Sequence, residues 1–455
     1  MSNFVSVILA AGMGTRMKSQ MPKVLHKVCG KELCRWVIDA SKEAGACKVM
    51  AIIGHKADMV KEKLQGECEF AIQAEQKGTG HAVMQAEDFI KANSGSHVVI
   101  LNGDTPLITP ELIKEAIESH IAEGNQATVI TAILDDATGY GRIVRGADGH
   151  VTKIVEQKDA SEEEKAIKEV NSGMYVFDGE ALLYALSKLT PNNAQGEYYL
   201  TDTVEILLGI GKRVGAYAVK NEEDIRGIND RVQLNESEKI MQGRINDKLM
   251  RSGVTMRLPE SVYIEADVEV GPDTEIEPNV VLKKGTRIGS GCLVGMSSRL
   301  DRAIIHDNVE IISSVIVNSE VKSDTTVGPF AYIRPDCTVG SHVKVGDFVE
   351  LKNSTIDDGT KISHLTYIGD SDVGKNVNFG CGTVTVNYDG KKKYRTTIGD
   401  NSFIGCNTNL VSPVTVGEGA YIAAGSTITD DIPDESLSIA RARQVNKTDW
   451  KDKRK

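Results

Sequence analysis

An aliphatic residue returns at nearly every sixth position between Ile264 and Ile428. One run is Ile264, Val270, Ile276, Leu282, Ile288 and Val294. A second is Val327, Ile333, Val339, Val345 and Leu351, and a third is Ile398, Ile404, Leu410, Val416, Ile422 and Ile428. No α-helix supports that period, because 3.6 residues per turn carries every sixth residue off the face. Three short strands per coil, one hexad each, would point all of these side chains inward. The expected architecture is a parallel β-helix of hexapeptide repeats. Glycine often follows the aliphatic position, as at Gly271, Gly289, Gly340, Gly399 and Gly417, and suits the tight corners of such a prism. About nine coils at ~4.8 Å each predict a prism ~40 Å long. Its flat faces would be buried by packing three prisms together, so a homotrimer is expected.

The chain has 455 residues, enough for two or three domains. Its net charge of -11 argues against nucleic acid or an anionic membrane as the main partner. The apolar stretch from Val5 to Ala11 runs into a glycine loop and reads as a first strand, not a signal peptide. No apolar run approaches the length of a membrane span. The eight cysteines include no CxxC pair, which predicts reduced thiols in a cytoplasmic protein.

Residues 4–228 alternate strand-like and helical patterns. Strands are expected at Val5–Leu9, Lys48–Ile53, Phe70–Gln73, Val98–Leu101, Ala127–Ala132, Gly173–Phe177 and Val214–Val219. Helices are expected at Leu33–Ala44, Gly80–Ala92 and Pro110–Ala122. This alternation predicts an α/β layer with a mostly parallel sheet. A helix-spaced set, Leu234, Ile240, Met241, Ile245 and Leu249, predicts a connecting helix capped by Asn229 or Asp230 and ended by Gly253. The expected domains are therefore 1–229, a linker helix 230–252, and 253–455 with a basic tail. The hexad register slips once, between Thr385 and Ile398, where Asn387 to Arg395 contains the turn signal Asp389-Gly390. This insertion should leave the prism as a loop, either functional or simply solvated.

The first strand ends in Leu9-Ala10-Ala11-Gly12-Met13-Gly14-Thr15-Arg16-Met17, with Lys23 close behind. A dinucleotide fingerprint would place its third glycine at Met17, so that reading fails. What remains is a glycine loop with Arg16 and Lys23 positioned to meet phosphate oxygens, or an ordinary βα turn. Asp104 follows the apolar run Val98–Leu101. A carboxylate there points into a ligand crevice and suits a hard cation such as Mg²⁺. Its alternative role is to cap the helix after Pro106.

Together these residues resemble the sugar-phosphate nucleotidyltransferases over residues 4–229. Leu9–Met17 with Lys23 is similar to that family's nucleotide loop. Gln73-Ala74-Glu75-Gln76-Lys77-Gly78-Thr79-Gly80-His81-Ala82 is similar to its uracil-reading segment. Gly139–Arg142, Val155–Asp159 and Asn171-Ser172-Gly173 resemble its sugar-contacting stretches. The resemblance implies a Rossmann-like α/β domain in which a sugar-1-phosphate oxygen attacks the α-phosphorus of UTP. It implies nucleotide contacts from Leu9, Ala10, Ala11, Gly12, Lys23, Gln73, Gly78 and Thr79. Gly141, Glu156, Asn171 and Asn229 would contact the sugar phosphate, Mg²⁺ would sit between Asp104 and Asn229, and Arg16 and Lys23 would steady the phosphates. Asn102 is given no role.

On the β-helix, His364 lies between the inward positions Ile362 and Ile368, so it should face outward. A neutral imidazole can take a proton from an amine as it attacks a thioester. Glu350 is expected to orient it from the neighbouring coil. A lone surface histidine is more often inert, but Arg334, Lys352, Tyr367, Asn378 and the Asn387-Tyr388 loop keep it company. This set resembles a family of bifunctional enzymes that acetylate glucosamine-1-phosphate and uridylate N-acetylglucosamine-1-phosphate, giving UDP-N-acetylglucosamine for cell-wall precursors. The resemblance covers essentially the whole chain and implies a left-handed coil. By it, Arg334 and Lys352 hold the substrate phosphate, Tyr367 and Asn378 contact the sugar, and His364 is the base. Asn387, Tyr388, Cys406, Ala424 and Arg441 would surround acetyl-CoA. Cys381 and Cys406 stand where relatives carry Ala or Ser. Two competing readings remain: a nucleotidyltransferase whose β-helix only assembles trimers, and a trimeric scaffold with degenerate sites.

Overall fold

In the computed structural model, residues 3–193 and 195–451 are described, so the end of the basic tail lies outside them. The chain divides into two compact units, Met1–Met241 and Gln242–Lys455.

The first unit is built on a nine-stranded sheet. Its main path runs Val214–Ala218, Ala127–Ile133, Glu169–Asp178, His97–Asn102, Phe4–Ala10, Lys48–Ile53, Glu69–Ile72. Phe4–Ala10 pairs in parallel with Lys48–Ile53 on one side and His97–Asn102 on the other. Chain order therefore reverses at the first strand, which leaves a crevice at the strands' carboxyl ends. Alternate side chains of that first strand feed two cores. Phe4, Ile8 and Ala10 pack with Val37, Ile38 and Ile113. Val5 and Val7 pack with Ile52, Ile90 and Phe177. Burial on both faces explains why these strands read as continuous apolar runs.

Leu33–Ala44 and Pro110–Ala122 are helices as expected. The segment Gly80–Ala92 is instead two short helices, Thr79–Met84 and Glu87–Ala92. The sheet also departs from expectation on one side. Glu169–Asp178 is ten residues long and runs antiparallel to both its neighbours, with a bulge between Asn171 and Met174. It also pairs with Gly141–Arg145, which forms a hairpin with Val151–Val155. That hairpin is too charged and too short to announce itself by alternation.

Arg231–Arg251 is one helix. Asp230 Oδ1 accepts from the backbone N–H groups of Val232 and Gln233, both at 2.9 Å, and caps its start. In the second unit, Ile245, Leu249 and Met250 of this helix pack against the β-helix core.

The second unit is a three-sided prism of parallel sheets with 11, 10 and 9 strands. The aliphatic hexad positions point inward, and of those named above only Val270 is merely half-buried. Coil length is not constant. Hydrogen-bonded neighbours on successive coils lie 18 residues apart in some places and 17 in others. Across the insertion they lie 25 apart. The corners use two residue types for two reasons. Left-handed backbone is taken mainly by Asn, Asp and Ser, as at Asp273, Asn279, Ser297 and Asn308. Glycine at Gly271 is required by stacking, since a Cβ there would stand 2.7 Å from the carbonyl carbon of Gly289 on the next coil. The expected link between these glycines and corner conformation is thus corrected to close approach between coils.

Candidate active sites

In the first unit, a cavity of about 320 Å³ opens at the carboxyl ends of the central strands. Leu9, Ala10, Ala11 and Gly12 form one wall, and Gln73, Gly78 and Thr79 another. Lys23 and Asp104 stand at its polar end. Gly14 has φ 61°, and a Cβ there would meet Lys23 Cβ at 2.6 Å, so this glycine lets the lysine stem lie against the loop. Lys23 Nζ donates to the Asp104 carboxylate and to Asn229 Oδ1 at 3.2 Å. Asp104 caps no helix, since the following helix starts at Pro110 with Thr109 as its cap.

Gln73 is buried and donates through Nε2 to the Gly78 carbonyl at 3.1 Å. Gly78 has φ 104° and lies so close to Tyr198 that a Cβ would stand 2.5 Å from the Tyr198 carbonyl oxygen. Arg16 stands exposed on the turn Thr15–Met17 and is not part of the cavity wall.

Gly141, Glu156 and Asn171 come together beside the bulge. A Cβ on Gly141 would lie 3.5 Å from Glu156 Oε2 and 3.6 Å from Asn171 Cβ. Asn171 donates to the Tyr175 hydroxyl at 2.8 Å. Burial raises the Glu156 carboxyl above its ordinary range. A Thr201 hydrogen bond opposes that rise, and Asp159 and Asp202 reinforce it. Burial, with Glu205 and Asp159 nearby, pushes Asp202 up to about 6. Asn102 had no expected role, yet it lines the cavity and donates to the Ser172 carbonyl at 3.0 Å. It therefore ties the parallel strand to the bulged one.

On the prism, strand register puts Asp347 beneath His364. His364 Nδ1 donates to Asp347 Oδ1 at 2.7 Å. The imidazole is 60% exposed, and with Nδ1 protonated its Nε2 carries the free lone pair. This corrects the expectation for Glu350. One coil here is 17 residues, so Glu350 aligns with Tyr367 and not with His364. Its carboxylate instead accepts from Arg334 Nη1 at 2.8 Å.

Outward positions on one face make two adjacent rows, Tyr332, Glu350, Tyr367 and Arg334, Lys352, Gly369. Gly369 is required because a Cβ would stand 2.3 Å from the Tyr367 hydroxyl and 2.7 Å from Asn387 Nδ2. Asp370 is the hub beneath these rows. It accepts from Lys352 at 3.1 Å, from Asn353 at 2.6 Å and from Asn387. Burial alone would raise the Asp370 carboxyl, but these hydrogen bonds together bring it below its ordinary range.

The insertion leaves the prism as a loop closed by a bridge between Tyr388 and Lys393. Its Lys393 stands beside Lys352, which holds the Lys393 ammonium below its ordinary value, with Arg334 close enough to add to that effect. Asn378 lies on the strand Asn378–Phe379, in register with Lys361. Farther along the prism Cys406 and Ala424 are exposed, and Arg441 Cδ would be 3.6 Å from a Cβ on Gly425. Asp347, Asp370 and Lys393 were missed by sequence reasoning. Only the coil length could have singled out Asp347.

The first unit is thus a nucleotidyl-transfer fold, and the second a hexapeptide-repeat transferase prism. Residues 5–237 match the nucleotidyl transferase family. Residues 318–353 and 395–430 match the bacterial transferase hexapeptide repeat, which makes the prism a left-handed β-helix. The "Bifunctional protein GlmU" of Caldanaerobacter subterraneus is 54% identical over 100% of this chain and 99% of its own length. Those of Clostridium beijerinckii and Clostridioides difficile are 55% and 54% identical, each over 99% of this chain and 98% of their own length. The chain belongs to the GlmU family of bifunctional proteins.

Proposed function

We propose that this chain makes UDP-N-acetylglucosamine in two steps at two sites. Its second unit acetylates glucosamine-1-phosphate with acetyl-CoA, and its first unit joins the product to UTP with release of pyrophosphate. We assign uridylyl transfer to residues 1–229, acetyl transfer to 253–455, and a connecting role to 230–252. The observation that carries the acetyl-transfer reading is the Asp347–His364 hydrogen bond beside the cationic face of Arg334, Lys352 and Lys393.

In the first reaction the amine of the sugar attacks the thioester carbonyl. Asp347 fixes the tautomer of His364, so Nε2 takes the amine proton as the C–N bond forms; the C–S bond then breaks and coenzyme A leaves as the thiol, carrying that proton. Arg334, Lys352 and Lys393 hold the phosphate, while Tyr367 and Asn378 contact the sugar. Asn387, Tyr388, Ala424 and Arg441 border the acetyl-donor track.

In the second reaction the sugar phosphate is already an anion and needs no strong base. Positioning and charge neutralisation supply the catalysis. Gly12 and Lys23 approach the triphosphate, Gln73 and Thr79 border the base, and Glu156 and Asn171 hold the sugar. The Asp104 and Asn229 oxygens converge on a single ammonium, that of Lys23. That hard-oxygen donor set fits Mg²⁺, which supplies charge neutralisation at the phosphates. Among the described residues no group of three or more His, Cys, Asp and Glu side chains could hold a metal ion.

We further propose a homotrimer. Phe330 and Phe348 stack at 5.5 Å on one corner of the prism. They are 60% and 58% exposed and adopt left-handed backbone. Bulky residues in that conformation are costly, and an exposed apolar ridge marks an interface. Among the described residues no helix is long and apolar enough to cross a membrane. The eight free cysteines agree with our placing the enzyme in the cytoplasm.

The test is a product assay by mass spectrometry with single omissions. UDP-N-acetylglucosamine should vanish without acetyl-CoA and return on adding N-acetylglucosamine-1-phosphate. Product from the pre-acetylated sugar alone would refute the acetyl-transfer assignment.

A further inference from the structure

One corner of the prism carries an uninterrupted row of polar and small side chains. Asp347 aligns with His364. The flanking pairs Ile362 with Phe379 and Tyr367 with Val384 then align His364 with Cys381. The pairs Phe379 with Ile404 and Val384 with Asn409 align Cys381 with Cys406. Ile404 with Ile422 places Ala424 next. The two cysteines occupy the same position of the same turn. Each precedes a residue in left-handed backbone, Gly382 at φ 77° and Asn407 at φ 54°. Asn407 N–H donates to the Cys381 carbonyl at 2.8 Å. A Cβ on Gly380 would lie 2.8 Å from Cys406 Cα. Adjacent coils at this spacing put the two Cα atoms roughly 4.8 Å apart, within the range a disulfide spans.

Of the four cysteines in the second unit, Cys292 and Cys337 are buried, whereas Cys406 is exposed and Cys381 half-buried. We propose that Cys381 and Cys406 form a reversible disulfide that shuts off acetyl transfer under peroxide stress. The proposal rests on the reading of this corner as the acetyl-transfer site.

The chemistry needs a peroxide as oxidant. The exposed Cys406 thiol gives up its proton and attacks one peroxide oxygen, the O–O bond breaks, and Cys406 sulfenic acid forms with a hydroxide that this proton converts to water. The Cys381 thiol then attacks the Cys406 sulfur, the S–O bond breaks, and the departing hydroxide takes up the Cys381 thiol proton and leaves as a second water. Two thiols are oxidised by two electrons and one peroxide is reduced to two waters. The exposed position of Cys406 leaves the bond open to attack by a thiol reductant. Gly380 and Gly405 leave no room inward, since a Cβ on either would fall within 2.5 Å of the next coil's backbone. The S–S bridge therefore lies outward, over the row between His364 and Ala424.

The experiment uses the full chain with hydrogen peroxide, followed by alkylation, digestion and mass spectrometry. The expected result is a Cys381–Cys406 cross-linked peptide. Most acetyl transfer should be lost, uridylyl transfer retained, and a thiol reductant should restore the loss. Each variant is compared with its own reduced state, and Cys381→Ala and Cys406→Ala should both abolish the cross-link and the peroxide effect. Both thiols remaining alkylatable, or oxidation only to separate sulfinic acids, would overturn the proposal. Reduced protein without acetyl transfer would instead refute the functional reading, whatever the cross-link shows.

Discussion

His364 Nδ1 donates to Asp347 Oδ1 at 2.7 Å, from one coil of the prism to the next. Only one ring nitrogen is thereby left with a lone pair, on an imidazole that is 60% exposed. The hydrogen bond from His364 also holds the Asp347 carboxyl below its ordinary range. We predict that His364→Ala lowers kcat for acetyl transfer by ~10²–10⁴ and spares uridylyl transfer. Asp347→Asn should lower it by roughly tenfold or more by freeing the wrong tautomer. Steady-state assays of both reactions on each variant check this, and equal loss of both activities would contradict the division of labour.

Lys393, on the insertion loop, stands beside Lys352 and Arg334, the face we assign to the substrate phosphate. Lys352 and Arg334 hold the Lys393 ammonium below its ordinary value in the free enzyme, and a bound phosphate dianion would relieve that repulsion. Lys393→Ala should raise KM for glucosamine-1-phosphate by roughly tenfold with little change in kcat. An unchanged KM would place the loop's cation outside the phosphate site.

Asp104 and Asn229 share the Lys23 ammonium. Asp104→Ala should remove Mg²⁺-dependent uridylyl transfer while acetylation continues. A titration of rate against Mg²⁺ reads this directly, and a normal Mg²⁺ response would take Asp104 out of the metal site.

Asp202 is held protonated to about pH 6 by burial and by Glu205 and Asp159. A carboxyl raised in the folded state contributes stability below its unfolded pKa, and that contribution is lost as pH rises through about 6. Asp202→Asn should therefore stabilise the protein at pH 7.5 by about 1 kcal/mol after allowing for partial solvent exposure. The gain should fall away near pH 4. Denaturant midpoints at the two pH values check the sign, and a larger gain at the lower pH would contradict it.

Legibility of this chain varied with how local the signal was. The first strand, the helix Leu33–Ala44 and the hexads all announce themselves, because each repeats a burial period along contiguous residues. The hairpin Gly141–Val155 did not, since its strands pair with a bulged antiparallel neighbour that lends them their core. Asn102 looked idle because its partner, the Ser172 carbonyl, lies 70 residues away.

The sequence alone determined that the second half coils and which side chains point inward, because that pattern is set by a six-residue period of burial. It also placed Gly12 and Asp104 just past strand ends, where parallel sheets open, with Lys23 close behind the first. Only the tertiary structure decided which outward residues are neighbours. A coil of 17 residues instead of 18 moves every contact along the row by one position. That length puts Asp347, and not Glu350, beneath His364, and the 25-residue step sets Cys406 above Cys381. Coil length is fixed by how the corners pack against the coils above and below, and no single hexad contains that information.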